Sequence, residues 1–269
     1  MPQYLYHYTS IEALSQILAS RQLRLSRLDK VDDLSEGETE DLGWYGHYIF
    51  VTCWTNLEEE SLPFWSMYTS PNSGVRIRLP IGMLASHSIE RHDLENNHHV
   101  SITESPIPES RIFGHDYTIM PCKRHDWYEI VYTDDRKLLK PEIFSQDKQR
   151  ISLELGKLGK HKGLHWRFQS EYRFKVVVFP IPNFTSKRGE ELERTAIEAS
   201  VAIINKKPLS IECLPLDLDE STFEQLEITL GPSCGVGAEI MVNSLIEKYA
   251  PKAHIKRSVL TGKVALRKP

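Results

Sequence analysis

Cysteine is scarce in this chain of 269 residues: Cys53, Cys122, Cys213 and Cys234 lie far apart and form no C-x-x-C pair. That argues against a disulfide scaffold and leaves small, buried thiols as the expectation. Long apolar runs are also missing, for no stretch approaches the ~18–20 residues that a membrane-spanning helix needs. Nor is there a basic-then-apolar leader, since Met1-Pro2-Gln3-Tyr4 passes directly into a strand-like run. A soluble, cytoplasmic protein is the expectation. Positive charge is not in excess: the formal net charge is -4 and the pI is near 6.3. Such a balance excludes a dedicated binder of duplex nucleic acid, though it leaves room for a basic pocket. No internal repeat and no long linker divides residues 1–269, so a single α+β domain is expected, carrying an insertion at about 85–125.

What is present is a good aromatic and apolar share, enough for a proper core. The most informative stretch is Trp166 to Phe179, W-R-F-Q-S-E-Y-R-F-K-V-V-V-F. It reads as one strand, with Phe168, Tyr172 and Phe174 on one face and Gln169, Glu171, Arg173 and Lys175 on the other. The apolar, β-branched tail, Val176 to Phe179, implies a sheet covered on both faces. A polar stripe beside such a tail either points into water as an ion-paired face or lines a pocket. Tyr4 to Thr9 reads as an opening strand, followed by a capping box with Thr9 as N-cap and Glu12 three positions on. Ile11, Leu14, Ile17 and Leu18 then give a short helix. His7 therefore sits at a strand end close to a helix N-terminus, where either a ligand or a backbone carbonyl would satisfy it.

Further along, Asp29 to Asp41 is acidic and reads as a solvated loop or lid. Tyr48 to Trp54 is a buried strand, and Ser61 to Tyr68 a short helix with Pro63 in its first turn. Trp65 and Tyr68 share a side of that helix, as core filler or as a stacking platform. His87, His92, His98 and His99 match no metal-ligand spacing, nor do the acidic residues from Asp32 to Asp41, so no metal is expected. Pro141 to Leu158 is expected to be helical. The segment Lys157 to Lys162 makes a basic, flexible approach to the key strand. Near the C-terminal end, Glu239 to Tyr249 is expected to be a helix with Ile240, Met241, Leu245 and Ile246 facing inward.

Three segments in this order, Tyr6-His7-Tyr8-Thr9-Ser10, Phe64-Trp65-Ser66-Met67-Tyr68 and Trp166-x-x-x-x-Glu171-x-Arg173, resemble a bacterial family of uncharacterised proteins. The Ile228 to Pro232 run fits the same family. More distantly the order resembles the ADP-ribosyltransferase superfamily, in its His–Tyr–Glu branch. That resemblance implies a largely antiparallel mixed sheet with flanking helices, and NAD as substrate with no metal. It also implies a cleft in which His7, with Tyr8 and Thr9, holds the dinucleotide while Tyr68 and Trp65 stack the nicotinamide. Glu171, paired with Gln169, would be the catalytic carboxylate, and Arg173 would keep it ionised and aimed. The implied activity is ADP-ribosyl transfer to a protein or nucleic-acid acceptor, or NAD glycohydrolysis. A toxin or defence role with a regulatory or antitoxin partner would suit such an enzyme, and no membrane partner is implied. The serine–threonine–serine motif of another transferase branch is missing, with Thr52 at best a partial stand-in. A non-catalytic module binding a nucleotide or a protein on the same fold therefore stays open. A metal-dependent nuclease ranks behind both.

Overall fold

The computed structural model describes residues 2–70, 72–93, 98–146, 151–182 and 189–264. In chain order the elements that frame the site begin with β1 (Tyr4–Ser10), α1 (Ile11–Ser20), β2 (Gln22–Arg27) and β3 (Ile49–Thr55). They continue with α2 (Leu62–Met67), β4 (Gly74–Pro80), β5 (Thr118–Ile119), β6 (Tyr128–Glu129), β7 (Val131–Thr133) and β8 (His161–Gly163). β9 (Glu171–Phe179), α3 (Gly189–Ile204), β10 (Cys213–Asp217), β11 (Glu227–Leu230), α4 (Val236–Tyr249) and β12 (His254–Arg257) complete the set. The architecture is α+β, built on one ten-stranded sheet whose main path runs β6-β9-β3-β1-β4-β11-β12. β10 pairs with β2, which pairs with β3, and β5 pairs with β9. All these pairings are antiparallel except β11 with β12. Among the described residues no helix is long and apolar enough to cross a membrane.

One irregularity of the sheet creates the site. β1 runs alongside β4 over its whole length, from Tyr4↔Pro80 to Ser10↔Gly74, yet meets β3 only at Tyr6↔Thr55. The other half of that β3 edge is taken by β2, through Ser26↔Val51 and Arg27↔Phe50. β1 and β3 thus splay apart, and a gap opens opposite Cys53. Behind the sheet, Leu5, Leu14, Leu25, Phe50, Phe174 and Val176 belong to one continuous core, each at most 1 % exposed.

Several expectations are corrected. Trp166 to Gln169 is not strand: Leu164–Gln169 is a 3-10 helix, Ser170 turns in the left-handed region at φ 40°, and β9 starts at Glu171. The aromatics at 166 and 168 mimic strand alternation, whereas the turn at Ser170 sets Gln169 off the strand's polar face. The N-cap of α1 is Ser10, whose Oγ accepts from Ala13 N–H at 3.1 Å, because Thr9 still belongs to the β1 ladder. Pro141 to Leu158 is not a helix: Phe144–Gln146 pairs with Ile151–Leu153, followed by a 3-10 turn at Leu155–Lys157. In α4 the buried face is Ala238, Val242 and Ile246, while Ile240 and Met241 are 60 % and 50 % exposed. Within 85–125, the strands His87–Asp93 and His98–Ser105 pair, and Ile107, Ile112 and Ile119 join the core. The side chains of His92, His98 and His99 lie outside the described residues.

Candidate active-site cleft

The strand β9 carries Glu171, Arg173 and Lys175 on one face and Tyr172, Phe174, Val176 and Val178 on the other, as strand periodicity dictates. The apolar face enters the core. The polar face is also covered, since Glu171 is 3 % exposed and Arg173 is fully buried. Burying such groups is costly unless they are paired and hydrogen-bonded. Here they are. Arg173 donates from Nε to Glu171 Oε1 at 2.7 Å, and Lys162 on β8 donates from Nζ to Glu171 Oε2 at 2.7 Å. Arg173 also pairs with Glu36, and Lys162 lies 3.3 Å from the same carboxylate. Two carboxylates and two cations thus close a buried ring. Glu36 comes from the acidic loop, which is therefore not simply solvated: Asp33 and Glu36 are buried at 9 % and 4 % exposure. Lys162, for its part, is buried in the ring and is not a free basic group on an approach segment.

Charge in the ring follows from these contacts. Burial works to neutralise Glu171, but Arg173 and Lys162 outweigh it and hold the carboxyl below its ordinary range. Burial likewise opposes charge on Lys162, and the attraction of Glu171 and Glu36 more than offsets it. From the ring a hydrogen-bond chain leads outward. Lys162 Nζ donates to Gln169 Oε1 at 2.9 Å, Gln169 Nε2 donates to the Tyr68 hydroxyl at 2.6 Å, and Tyr68 donates to Asp32. Burial and then Asp32 push the Tyr68 phenol well up, so it stays protonated. The 3-10 segment that presents Gln169 is pinned by Thr55, whose Oγ1 donates to the Gln169 carbonyl at 2.7 Å. Backbone N–H of Glu171 donates to the Tyr132 hydroxyl at 2.9 Å, which fixes the start of β9.

His7 faces this ensemble across the splay. Its Nδ1 lies 3.0 Å from the Cys53 carbonyl, and because a carbonyl only accepts, Nδ1 carries the hydrogen. Burial pushes the imidazole pKa down, so the ring is neutral and Nε2 is an acceptor. The ring also packs against Trp54, with centroids 5.0 Å apart. Between His7 and Glu171 lies a cavity of about 150 Å³, walled by Tyr6, Tyr8, Trp54, Phe64 and Tyr68 and bordered by Lys162 and Gln169. A cavity of roughly that volume accommodates one six-membered ring. A second cavity of about 270 Å³ shares His7, Val31, Cys53 and Trp54 with the first and carries Thr9, Arg24 and Lys30.

No family model, curated protein or solved structure matches the chain. Of the residues singled out in the sequence, His7, Tyr8, Tyr68, Gln169 and Glu171 line the first cavity. Thr9 lines the second. Trp65 and Arg173 line neither. Trp65 is 1 % exposed, packs on Tyr8 and donates its indole N–H to Glu60 at 3.0 Å, so it is core filler and does not offer a stacking face. Arg173 lies beneath Glu171. Three contributors carry no mark of their own in the sequence: Glu36 and Asp32 stand within the acidic loop, and Lys162 within the basic run. The basic run and the acidic loop are each visible in the sequence, but their pairing is not. Among the described residues no group of His, Cys, Asp or Glu could hold a metal ion. The Cys53 thiol is pushed up by burial and remains protonated, which removes it as a nucleophile.

Proposed function

We propose that the chain is a NAD-consuming enzyme of ADP-ribosyltransferase-like fold, cleaving the nicotinamide–ribose bond by transfer or hydrolysis. The observation that carries this reading is the ionised, buried Glu171 facing the neutral His7 across an aromatic cavity of single-ring size. Bond cleavage places positive charge on the ribose, and a carboxylate held in a site with little water stabilises that charge. Lys162 on Oε2, Arg173 Nε and Nη2 on Oε1, and the Cys53 thiol all reach this carboxylate, so a ribose hydroxyl would bind it in place of the weak thiol donor. His7 Nε2 would accept from another hydroxyl. Tyr6, Tyr8, Phe64 and Tyr68 supply flat walls for the nicotinamide. The adjoining cavity would take the rest of the dinucleotide, with Arg24 and Lys30 supplying positive charge for its diphosphate. Together the two cavities fall in the ~300–1,000 Å³ range of small-molecule sites.

Nicotinamide release from NAD, followed with protein and nucleic-acid acceptors present, tests the reading. Glu171→Gln should lower the rate by about 10²–10³-fold, the usual effect of losing one electrostatic contact to the transition state. No release by the unaltered protein, or an unchanged rate in the variant, overturns it. One observation favours a second reading, a nucleotide-binding module without turnover: the ring of Glu36, Arg173, Glu171 and Lys162 is electrically complete without a ligand. Calorimetric binding of NAD with no nicotinamide released would select that reading.

A further inference from the structure

Lys175 follows Arg173 on the same face of β9 but lies beyond the charged ring, and no ion pair is made to it among the described residues. Its Nζ donates to the carbonyls of Gly156 at 2.7 Å and Leu158 at 2.8 Å, both on the loop before β8. The side chain also borders a cavity of about 310 Å³, lined by Cys122, Asp126, Tyr128, Gly156 and Lys160 besides Lys175 itself. A primary amine has two hydrogens, and both are used on the loop carbonyls, so its lone pair is the part left unengaged. We propose that Lys175 is an acylation site, at which the amine attacks the carbonyl carbon of a small acyl phosphate bound in this cavity beside Lys160. The nitrogen–carbon bond forms, the carbon–oxygen bond to phosphate breaks, inorganic phosphate departs, and the nitrogen's surplus proton passes to water. The product is a neutral amide on β9.

The surroundings supply the reactivity. Burial, then Lys160 and Arg173, push the Lys175 pKa down to about 7, against the opposing pull of Glu36. The Tyr128 ring, 5.4 Å from Nζ, favours the ammonium, and Asp126 contributes negative charge to the cavity wall. The same positive surroundings attract the phosphate of the reagent. Cys122, on the same wall, has its thiol pushed up to about 12 by burial and does not compete. This inference is independent of the reading of Glu171.

The test uses the intact protein with acetyl phosphate as the probe, and peptide mass mapping of acetylated lysines over time. At pH 7.5, Lys175 should be acetylated roughly tenfold faster than the exposed Lys252, with a rate that levels off by about pH 8. The Lys160→Gln variant, which removes a repelling cation, should shift the levelling-off to higher pH. Acetylation of Lys175 no faster than of Lys252, or a pH profile untouched by Lys160→Gln, overturns the proposal.

Discussion

Substituting Glu36 by Gln removes one charge from the buried ring while keeping its size. Glu36 meets Arg173 through both of its oxygens and lies 3.3 Å from Lys162, all with side chains at most 3 % exposed. The variant leaves two buried cations sharing the single carboxylate of Glu171. Breaking a buried pair from one side costs about 3–5 kcal/mol, because the remaining charge stays desolvated and uncompensated. At the usual sensitivity of a larger domain that is a fall in Tm of roughly 6–20 °C. Urea titration monitored by tryptophan fluorescence, with the slope m checked for constancy, measures the loss. A companion variant sharpens the reasoning. Adding Lys162→Met to Glu36→Gln restores the balance of one cation with one carboxylate, so the double variant should be more stable than Glu36→Gln alone. A Glu36→Gln protein within about 0.5 kcal/mol of the parent, the scatter of ordinary surface changes, would refute the claim that the acidic loop is fastened by charge. So would a double variant weaker than the single one.

Stability should also fall as pH drops from 8 to 4. His7 and His47 have pKa values lowered by burial, His47 to about 4, so the folded state refuses protons that the unfolded state accepts near 6.5. Their contribution is present above 6.5 and lost below it, and Glu171, with its lowered pKa, adds a further loss as the pH falls below the ordinary carboxylate range. A urea midpoint that is flat between pH 8 and 5 would contradict this. Gly159→Ala should cost about 1–2 kcal/mol through backbone strain alone, since Gly159 has φ 69° and the added methyl would meet Arg173 and Leu28 at ordinary contact distances. Its carbonyl accepts from Tyr128 and Arg173, so chemical-shift changes in the variant should centre on those residues.

Local patterning carried much of the architecture. The apolar, β-branched run at Val176 to Phe179 and the aromatic alternation of Tyr4 to Tyr8 specify strands that the structure contains, and the α+β class with a largely antiparallel sheet agrees with the expectation. Patterning misled where side-chain size and periodicity point different ways. In α4 the small Ala238 carries the buried face with Val242 and Ile246, so the bulkier Ile240 and Met241 drew the face in the wrong direction. Between Pro141 and Leu158, Phe144, Ile151, Leu155 and Leu158 recur at helix-like intervals of seven, four and three, yet Phe144 and Leu153 are cross-strand partners. The site was legible as single residues. His7, Tyr68, Gln169 and Glu171 stand out by type and position, and they border one cavity. Their supports were not legible, because Glu36 reaches Arg173 across more than a hundred positions and nothing local marks it as different from Asp33 or Glu38.

The imidazole at position 7 acts as a spacer as well as a polar contact. Two neighbouring strands of a sheet ordinarily zip together, and the carbonyl of Cys53 would then be met by a backbone N–H of β1. Instead a side chain donates the hydrogen, which lets the strands stay apart without leaving a buried acceptor unmet. The void is therefore not a packing defect but something the sheet is propped open to keep. A residue at position 7 that lacked a donor of that reach would force a choice between an orphaned carbonyl and a closed seam. A closed seam would erase the chamber while leaving most of the surrounding sheet intact.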